Sequence, residues 1–305
     1  MAIRKFSEKN LTAEVLGRIS KTRDPRLKKV MTSFIKHLHA FVREVEPTPD
    51  EWFAGIRFLT ETGHWSTGKR QEYILMSDTL GVSMLVDALN YKAGKGETQS
   101  TVLGPFHREK APEYKHGDNI SKHKSDGVPC LVSGTVRDAR GRPIAGAKLD
   151  VWQGGADGLY DSQKGDAMNL RGVFRADKQG HFNFRCVRPE FYPVPNDGPV
   201  GKMLLATGRH PMRPPHLHFW ITAPGFRPLI THLFVKGGKY LDSDAVFGVK
   251  PELIVEFAKG RDGSASVSYD FVLMRAPARK KAARAGRGGS DSAAQAQPKR
   301  RRIVR

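Results

Sequence analysis

The first hundred residues carry apolar positions at helical spacing. Between Pro25 and Val45, Leu27, Val30, Met31, Phe34, Leu38, Phe41 and Val42 recur three or four residues apart, which predicts an amphipathic helix with one apolar stripe. Thr48-Pro49-Asp50-Glu51 then joins a capping box to a proline at the first helical position, and Gly63 offers a stop for that second helix. A third helical run spans about 69–90. Its apolar residues Ile74, Leu75, Met76, Leu80, Val82, Met84, Leu85, Val86 and Leu89 occupy more than one side, so this helix is expected to be buried or held at a subunit interface.

After Tyr91 the period changes. Segment 92–127 is polar and turn-rich, apart from the apolar knot Val102-Leu103-Gly104-Pro105-Phe106. From about 129 to 275, short apolar runs alternate with turn chemistry. Runs 130–136 and 147–152 flank Asp138-Ala139-Arg140-Gly141-Arg142-Pro143, and runs 173–175 and 181–186 flank Asp177-Lys178-Gln179-Gly180. Runs 216–222, 229–235, 253–257 and 264–273 complete the set, which favours a β-sandwich. The expected architecture is mixed: a helical N-terminal dimerisation module over 1–100, an all-β sandwich catalytic module over 101–275, and a basic tail over 276–305.

Composition refines this picture in two places. Hydrophobic residues at 39% and charged residues at 27% describe a globular chain. The formal charge of +20 suggests nucleic acid, but its distribution argues otherwise. Residues 276–305 hold ten Lys/Arg against the single acid Asp291, are rich in Ala and Gly, and lack apolar periodicity. They read as a disordered, solvated appendage rather than a nucleic-acid binder. The charge on the remaining residues would still attract anionic phenols. With two cysteines, Cys130 and Cys186, no apolar leader in MAIRKFSEKN and no run of ~20 apolar residues, the expected location is the cytoplasm.

The candidate chemistry begins with His216-Leu217-His218. On a strand, residues i and i+2 share a face, so both imidazoles can reach one metal while Leu217 enters the opposite layer. The alternative is a pair of core-edge histidines. Of the seven tyrosines, Tyr160 lies in the turn Asp157-Gly158-Leu159-Tyr160-Asp161 and Tyr192 in the proline-stiffened loop Phe191-Tyr192-Pro193-Val194-Pro195. Phenolate is a hard anionic donor that suits Fe(III), and a set of two phenolates, two neutral imidazoles and one hydroxide would balance a 3+ ion. Spacing alone does not bring these residues together. His64, His107 and His210 read as surface or structural residues, and Trp152 as core.

The segments LGPFH, SGTVRDARGRPIAGAKLDVWQ, DGLYD, RGVFRADKQGHFNFRCVRP, YPVPNDGPVG, RPPHLHFWITAPGFRPLITHLFV and YLDSDAVFGVK resemble the intradiol ring-cleavage dioxygenases, and within them the hydroxyquinol 1,2-dioxygenases. The likeness runs from MSDTLGVSMLVDAL in the helical module to about residue 257. It implies cleavage of hydroxyquinol by dioxygen to 3-hydroxy-cis,cis-muconate, the tautomer of maleylacetate, at one mononuclear Fe(III) per chain. By position, Tyr160, Tyr192, His216 and His218 match the family's iron ligands, Tyr192 matches the tyrosinate that substrate displaces, and Arg213 matches an arginine beside the metal. His232 stands where catechol-type relatives often carry glutamine, which agrees with the hydroxyquinol subgroup.

The implied pocket positions are Leu75, Asp78, Val102, Leu103, Gly104, Pro105, Phe106, Val194, Pro195, His232 and Val246. Asp78 sits in an apolar run, where a carboxylate is costly without a partner. It either accepts a hydrogen bond from the third substrate hydroxyl or pairs with a nearby base. The resemblance also implies a homodimer through the helical module and allows an amphipathic lipid between two such modules. Two other readings stand beside this one: a catechol or chlorocatechol 1,2-dioxygenase, and a non-catalytic β-sandwich binding module with a nucleic-acid-binding tail.

Overall fold

The computed structural model describes residues 5–68, 70–122, 127–165 and 167–276; most of the expected basic tail lies outside the described residues. Helix α1 spans Leu11–Arg18, α2 Pro25–Val45, α3 Pro49–Trp65, α4 Glu72–Thr79 and α5 Val82–Asn90. The Asp24 carboxylate caps α2 by accepting the N–H groups of Arg26 and Leu27. The capping box of α3 forms: Thr48 N–H donates to Glu51 Oε2 at 2.8 Å, and Glu51 N–H donates to Thr48 Oγ1 at 3.3 Å.

Two helical expectations need correction. Gly63 does not stop α3, which continues to Trp65 because nothing in the backbone forces a left-handed residue there. The run 69–90 is not one helix. Gly81 takes φ +74°, a conformation that cannot continue a right-handed helix, and it separates α4 from α5. The break has a consequence for packing. Helix α4 turns Leu75, Asp78 and Thr79 inward, whereas Leu85 and Leu89 of α5 remain 61% and 66% exposed. The α2 stripe is uncovered as well, with Phe34 and Phe41 exposed and only Ile35 buried. Among the described residues, no helix is long and apolar enough to cross a membrane.

The strands are β1 Pro129–Asp138, β2 Lys148–Trp152, β3 Arg171–Arg175, β4 His181–Val187, β5 Tyr192–Pro193, β6 Met212–Arg213, β7 His216–Thr222, β8 Leu229–Val235, β9 Ile254–Val255, β10 Ala258–Lys259, β11 Ala265–Ser268 and β12 Phe271–Leu273. A short helix α6, Asp161–Lys164, follows β2, and α7, Pro199–Ala206, lies between β5 and β6. One sheet has the order β10-β11-β1-β12 with β4 also on β1; the other runs β3-β2-β7-β8-β9. Val132, Val136, Phe182 and Phe184 from the first sheet meet Leu149, Leu217, Phe219 and Leu233 from the second in one buried core.

The expected strand 264–273 is two strands, since β1 changes partner from β11 to β12 midway. Gly134 sits at that change, where a Cβ would overlap the Tyr269 carbonyl. The sandwich therefore leaves β7 as the middle strand of its sheet, flanked by β2 and β8. Whatever β7 carries on its outer face is held from both sides.

Candidate metal centre

Alternation along β7 sends Leu217 and Phe219 into the inter-sheet core and turns His216 and His218 to the other face. Register then supplies their neighbours. His218 pairs across the ladders with Trp152 on β2 and with His232 on β8. Trp152 is core as expected, and it also backs the His218 ring, stacked at 4.7 Å and 15°. Tyr160 lies at the exit from β2, just before α6. Tyr192 lies on β5, opposite Arg213 of β6, so a two-stranded ribbon delivers both.

All four donors converge. Tyr160 Oη is 2.7 Å from His218 Nε2 and 3.0 Å from Tyr192 Oη; Tyr192 Oη is 3.4 Å from His216 Nε2; the two Nε2 atoms are 3.1 Å apart. Each residue is at most 2% exposed. His216 Nδ1 lies 2.7 Å from the Pro214 carbonyl, so Nδ1 holds the proton and Nε2 offers its lone pair to the cluster. Burial, and then the Arg213 charge, push His216 well below its ordinary range; burial, followed by His232, His216 and Arg213, does the same to His218. The His216 lone pair, the neighbouring Nε2 of neutral His218 and two phenol oxygens form a nest that a shared cation would satisfy. No thiolate competes, because Cys130 and Cys186 are in the sandwich core.

The two phenols differ. Burial, reinforced by Tyr192, raises Tyr160 well above the ordinary tyrosine range. Burial also raises Tyr192, but the Arg213 guanidinium opposes it. Arg213 Nη1 stands 3.4 Å from Tyr192 Oη and 3.1 Å from His216 Nε2. Burial works against the charge on Arg213, yet Asp244 and the phenols outweigh it and hold the guanidinium protonated.

His232 gives a second possible donor set. With His216 and His218 it forms a buried triad whose ligand atoms lie within 4.8 Å of one another. Its Nδ1 is 3.0 Å from Thr101 Oγ1, and its Nε2 has no hydrogen-bond partner. Burial, then His216 and Arg213, keep it neutral.

The residues singled out for a pocket fall in two groups. Leu75, Val102, Val194 and Val246 share one buried cluster. Phe106 belongs to another with Tyr160, Tyr192 and Trp152, against which Leu103 packs. Gly104 takes φ +77°, and a Cβ there would come within 3.5 Å of His218 Cε1. Pro195 is buried and Pro105 half-buried in the same loops. Asp78 is 1% exposed, Oδ2 has no partner, and burial pushes its carboxyl up to about 6 against the help of Ser83 and Arg213. Asp78 is therefore not the surface acid of an ion pair. His64 and His210 are exposed, whereas His107 is half-buried between Trp152 and Trp220, 3.3 Å from Asp150.

Two buried ion pairs escaped the sequence reading. Arg171 donates Nε to Asp161 Oδ2 at 2.6 Å and Nη2 to both Asp161 Oδ1 and the Phe106 carbonyl. Phe106 in turn stacks on Tyr160 at 4.2 Å. Asp161 follows Tyr160 directly, a signal that was present in DGLYD. Asp244 binds Arg213 at 2.9 Å from 31 positions away, with no local pattern to announce it.

Residues 102–275 match the dioxygenase family model, and residues 24–98 match that of the catechol dioxygenase N terminus. The chain is 49% identical over 273 residues to a 6-chlorohydroxyquinol 1,2-dioxygenase of Cupriavidus pinatubonensis, covering 89% of this chain and 99% of that one. It is 46% identical to a hydroxyquinol 1,2-dioxygenase of a Rhizobium species, covering 88% of this chain and 96% of the relative. A crystal structure of hydroxyquinol 1,2-dioxygenase from Pseudomonas putida matches with TM-score 0.79 and 47% identity over 88% of this chain and 99% of that one. A paired histidine strand, two buried tyrosines beside it, and matches across both modules lead to one conclusion: the chain belongs to the intradiol ring-cleavage dioxygenases.

Proposed function

We propose that this chain opens hydroxyquinol with dioxygen between its two adjacent hydroxyl-bearing carbons, giving 3-hydroxy-cis,cis-muconate, the tautomer of maleylacetate. One ferric iron per chain would be held by Tyr160, Tyr192, His216 and His218. The observation that carries this reading is the convergence of those four buried donors, with Nε2 and Oη atoms 2.7 to 3.4 Å apart and a guanidinium at the Tyr192 edge. It is favoured over the three-histidine set because each phenol oxygen contacts His216 or His218. When bound, ferric iron supplies Lewis acidity that polarises the diol toward dioxygen.

The chain's own groups do the rest. Tyr192 accepts a proton from the incoming diol, and Arg213 Nη1, already at 3.4 Å, receives the displaced phenol. The same cation stabilises negative charge that develops on the ring. Phe106 and Leu103 pack on the tyrosine side, and Leu75, Val102, Val194 and Val246 form the second wall; together they exclude water from the reacting face. His232 keeps a neutral Nε2 free to receive a hydrogen bond. Asp78, the acid of the α4 wall, accepts the third hydroxyl and so favours a triol over a diol. Relatives named for hydroxyquinol and 6-chlorohydroxyquinol support this substrate class. Comparing turnover of hydroxyquinol, 6-chlorohydroxyquinol and catechol on one iron-loaded preparation tests it; catechol as the best substrate would reject the triol assignment.

The uncovered stripes of α2 and α5 support a homodimer through the helical module, with room for an amphipathic lipid between the two copies. Sedimentation of the purified protein checks the dimer, and solvent extraction with mass spectrometry checks the lipid.

A further inference from the structure

The roles above leave Asp244 unused, and its surroundings give it one. The residue is 7% exposed and takes the Arg213 guanidinium side-on. Nε donates to Oδ1 at 2.9 Å and Nη2 donates to Oδ2 at 3.2 Å. That engagement leaves Nη1 as the nitrogen turned toward His216 Nε2 and Tyr192 Oη. The same carboxylate accepts the backbone N–H groups of Val246 at 3.3 Å and Gly248 at 2.9 Å. Four donors therefore converge on its two oxygens.

Those bonds shape the turn 244–248, in which Phe247 adopts a left-handed φ of 59°. The turn is also pinned from outside. Ala245 N–H donates to the Met212 carbonyl at 3.0 Å, next to Arg213. The Ala245 carbonyl accepts Arg209 Nη2 at 3.0 Å, and Arg209 Nη1 donates to the Thr79 carbonyl at 2.6 Å, next to Asp78. From this turn Val246 packs into the cluster of Leu75, Val102 and Val194.

We infer that Asp244 is a positioning residue for ring cleavage: it fixes Arg213 with Nη1 on the Tyr192 side of the donor cluster and, through the 244–248 turn, fixes Val246 in the pocket wall. The inference rests on the function proposed above for Arg213 and that wall. Its physical basis is the donor count. Asparagine at 244 would still offer a carbonyl to Nε, but its amide N–H would face Arg213 Nη2 and the Gly248 N–H, donor against donor. The size of the side chain survives and the clamp does not.

A double-substitution cycle with D244N, R213Q and the pair, plus D244E as the variant that keeps the charge, tests this. In iron-loaded protein D244N should lower kcat/KM for hydroxyquinol by about 10- to 100-fold, mainly in kcat and at unchanged iron content, the cost of losing an outer-shell partner. D244E should recover part of the loss. On the R213Q background, adding D244N should cost less than about three-fold, because its partner is already gone. In iron-free protein the double variant should melt no lower than either single one, since neither charge is then buried alone.

D244N activity within about three-fold of wild type, or losses from D244N and R213Q that multiply, overturns the inference. If D244N does not fold, R213Q against R213Q/D244N decides: a double variant that melts far lower also overturns it. A wild-type chain that binds iron without turning over hydroxyquinol, while the melting of the pair stays coupled, supports the clamp and rejects the function proposed above.

Discussion

Tyr160 and Tyr192 touch each other across the cluster, yet their supports differ. Tyr160 is sealed: fully buried, stacked on Phe106, and followed by Asp161, whose pair with Arg171 also holds the Phe106 carbonyl. The Arg171 guanidinium is spent on Asp161, and the Arg213 charge, which also favours a Tyr160 phenolate, does not outweigh the burial that opposes it. Tyr192 stands on a two-residue strand with Arg213 opposite and one guanidinium nitrogen at its oxygen. Under the proposed function, one side of the centre would stay bound and the other would let go and be caught. The contrast teaches that a buried arginine is read by where the nitrogen not engaged by its carboxylate points.

The largest test of this contrast is the tyrosine pair itself. Y160F should lose iron and turnover together, roughly 10³-fold or more, beyond the cost of an outer-shell change. Y192F should keep most of its iron and lose roughly 10²- to 10⁴-fold in kcat, the range for a positioned proton acceptor. Metal analysis beside steady-state kinetics separates the two, and iron loss confined to Y192F would invert the comparison.

Next come the arginines. R171M leaves Asp161 with Arg108, at 3.1 Å, as its remaining cation and should cost the iron-free protein roughly 1.5–3 kcal/mol in urea unfolding. R213Q leaves Asp244 buried without its cation and should in addition appear in turnover, about 10²- to 10³-fold in kcat, as for removal of a charge-stabilising donor. Equal stability losses with equal kinetics would erase the distinction.

How much of this was legible beforehand differs between strands and contacts. His216–Thr222 and Leu229–Val235 were readable to the residue, because alternation and β-branched content fix a central strand. The α2 limits were readable from Pro25 and the end of the stripe. The split at Gly81 was not, since a glycine inside an apolar run has no marker for its φ. Helix α7 and the β5–β6 ribbon were missed because they are short and gain their order from the site they frame. Within the centre, His216 and His218 could be paired by periodicity alone. The tyrosines needed the family likeness, and Asp244 and Arg171 needed the fold, because long-range ion pairs leave no local pattern.

A smaller effect concerns Asp78. Its carboxyl titrates near 3.8 when unperturbed and at about 6 in the fold, raised first by burial. A raised carboxyl costs nothing below the unfolded value, where both states are protonated. The penalty grows between those two values and is complete above the folded one. In iron-free protein D78N should therefore stabilise by roughly 3 kcal/mol at neutral pH, and by about half that at pH 5. In turnover it should hurt hydroxyquinol more than catechol; equal loss on both removes its role in choosing a triol. Smallest of all, deletion of residues 276–305 should leave activity unchanged if the tail is an appendage.

The central claim is that both phenols, not a third imidazole, complete the metal site. Visible absorption and resonance Raman of the ferric-loaded wild-type chain address it most directly. The expected result is one iron per chain, a red-brown charge-transfer band and tyrosinate ring modes, with the band altered in Y192F. A fully loaded, colourless protein without those modes would contradict it.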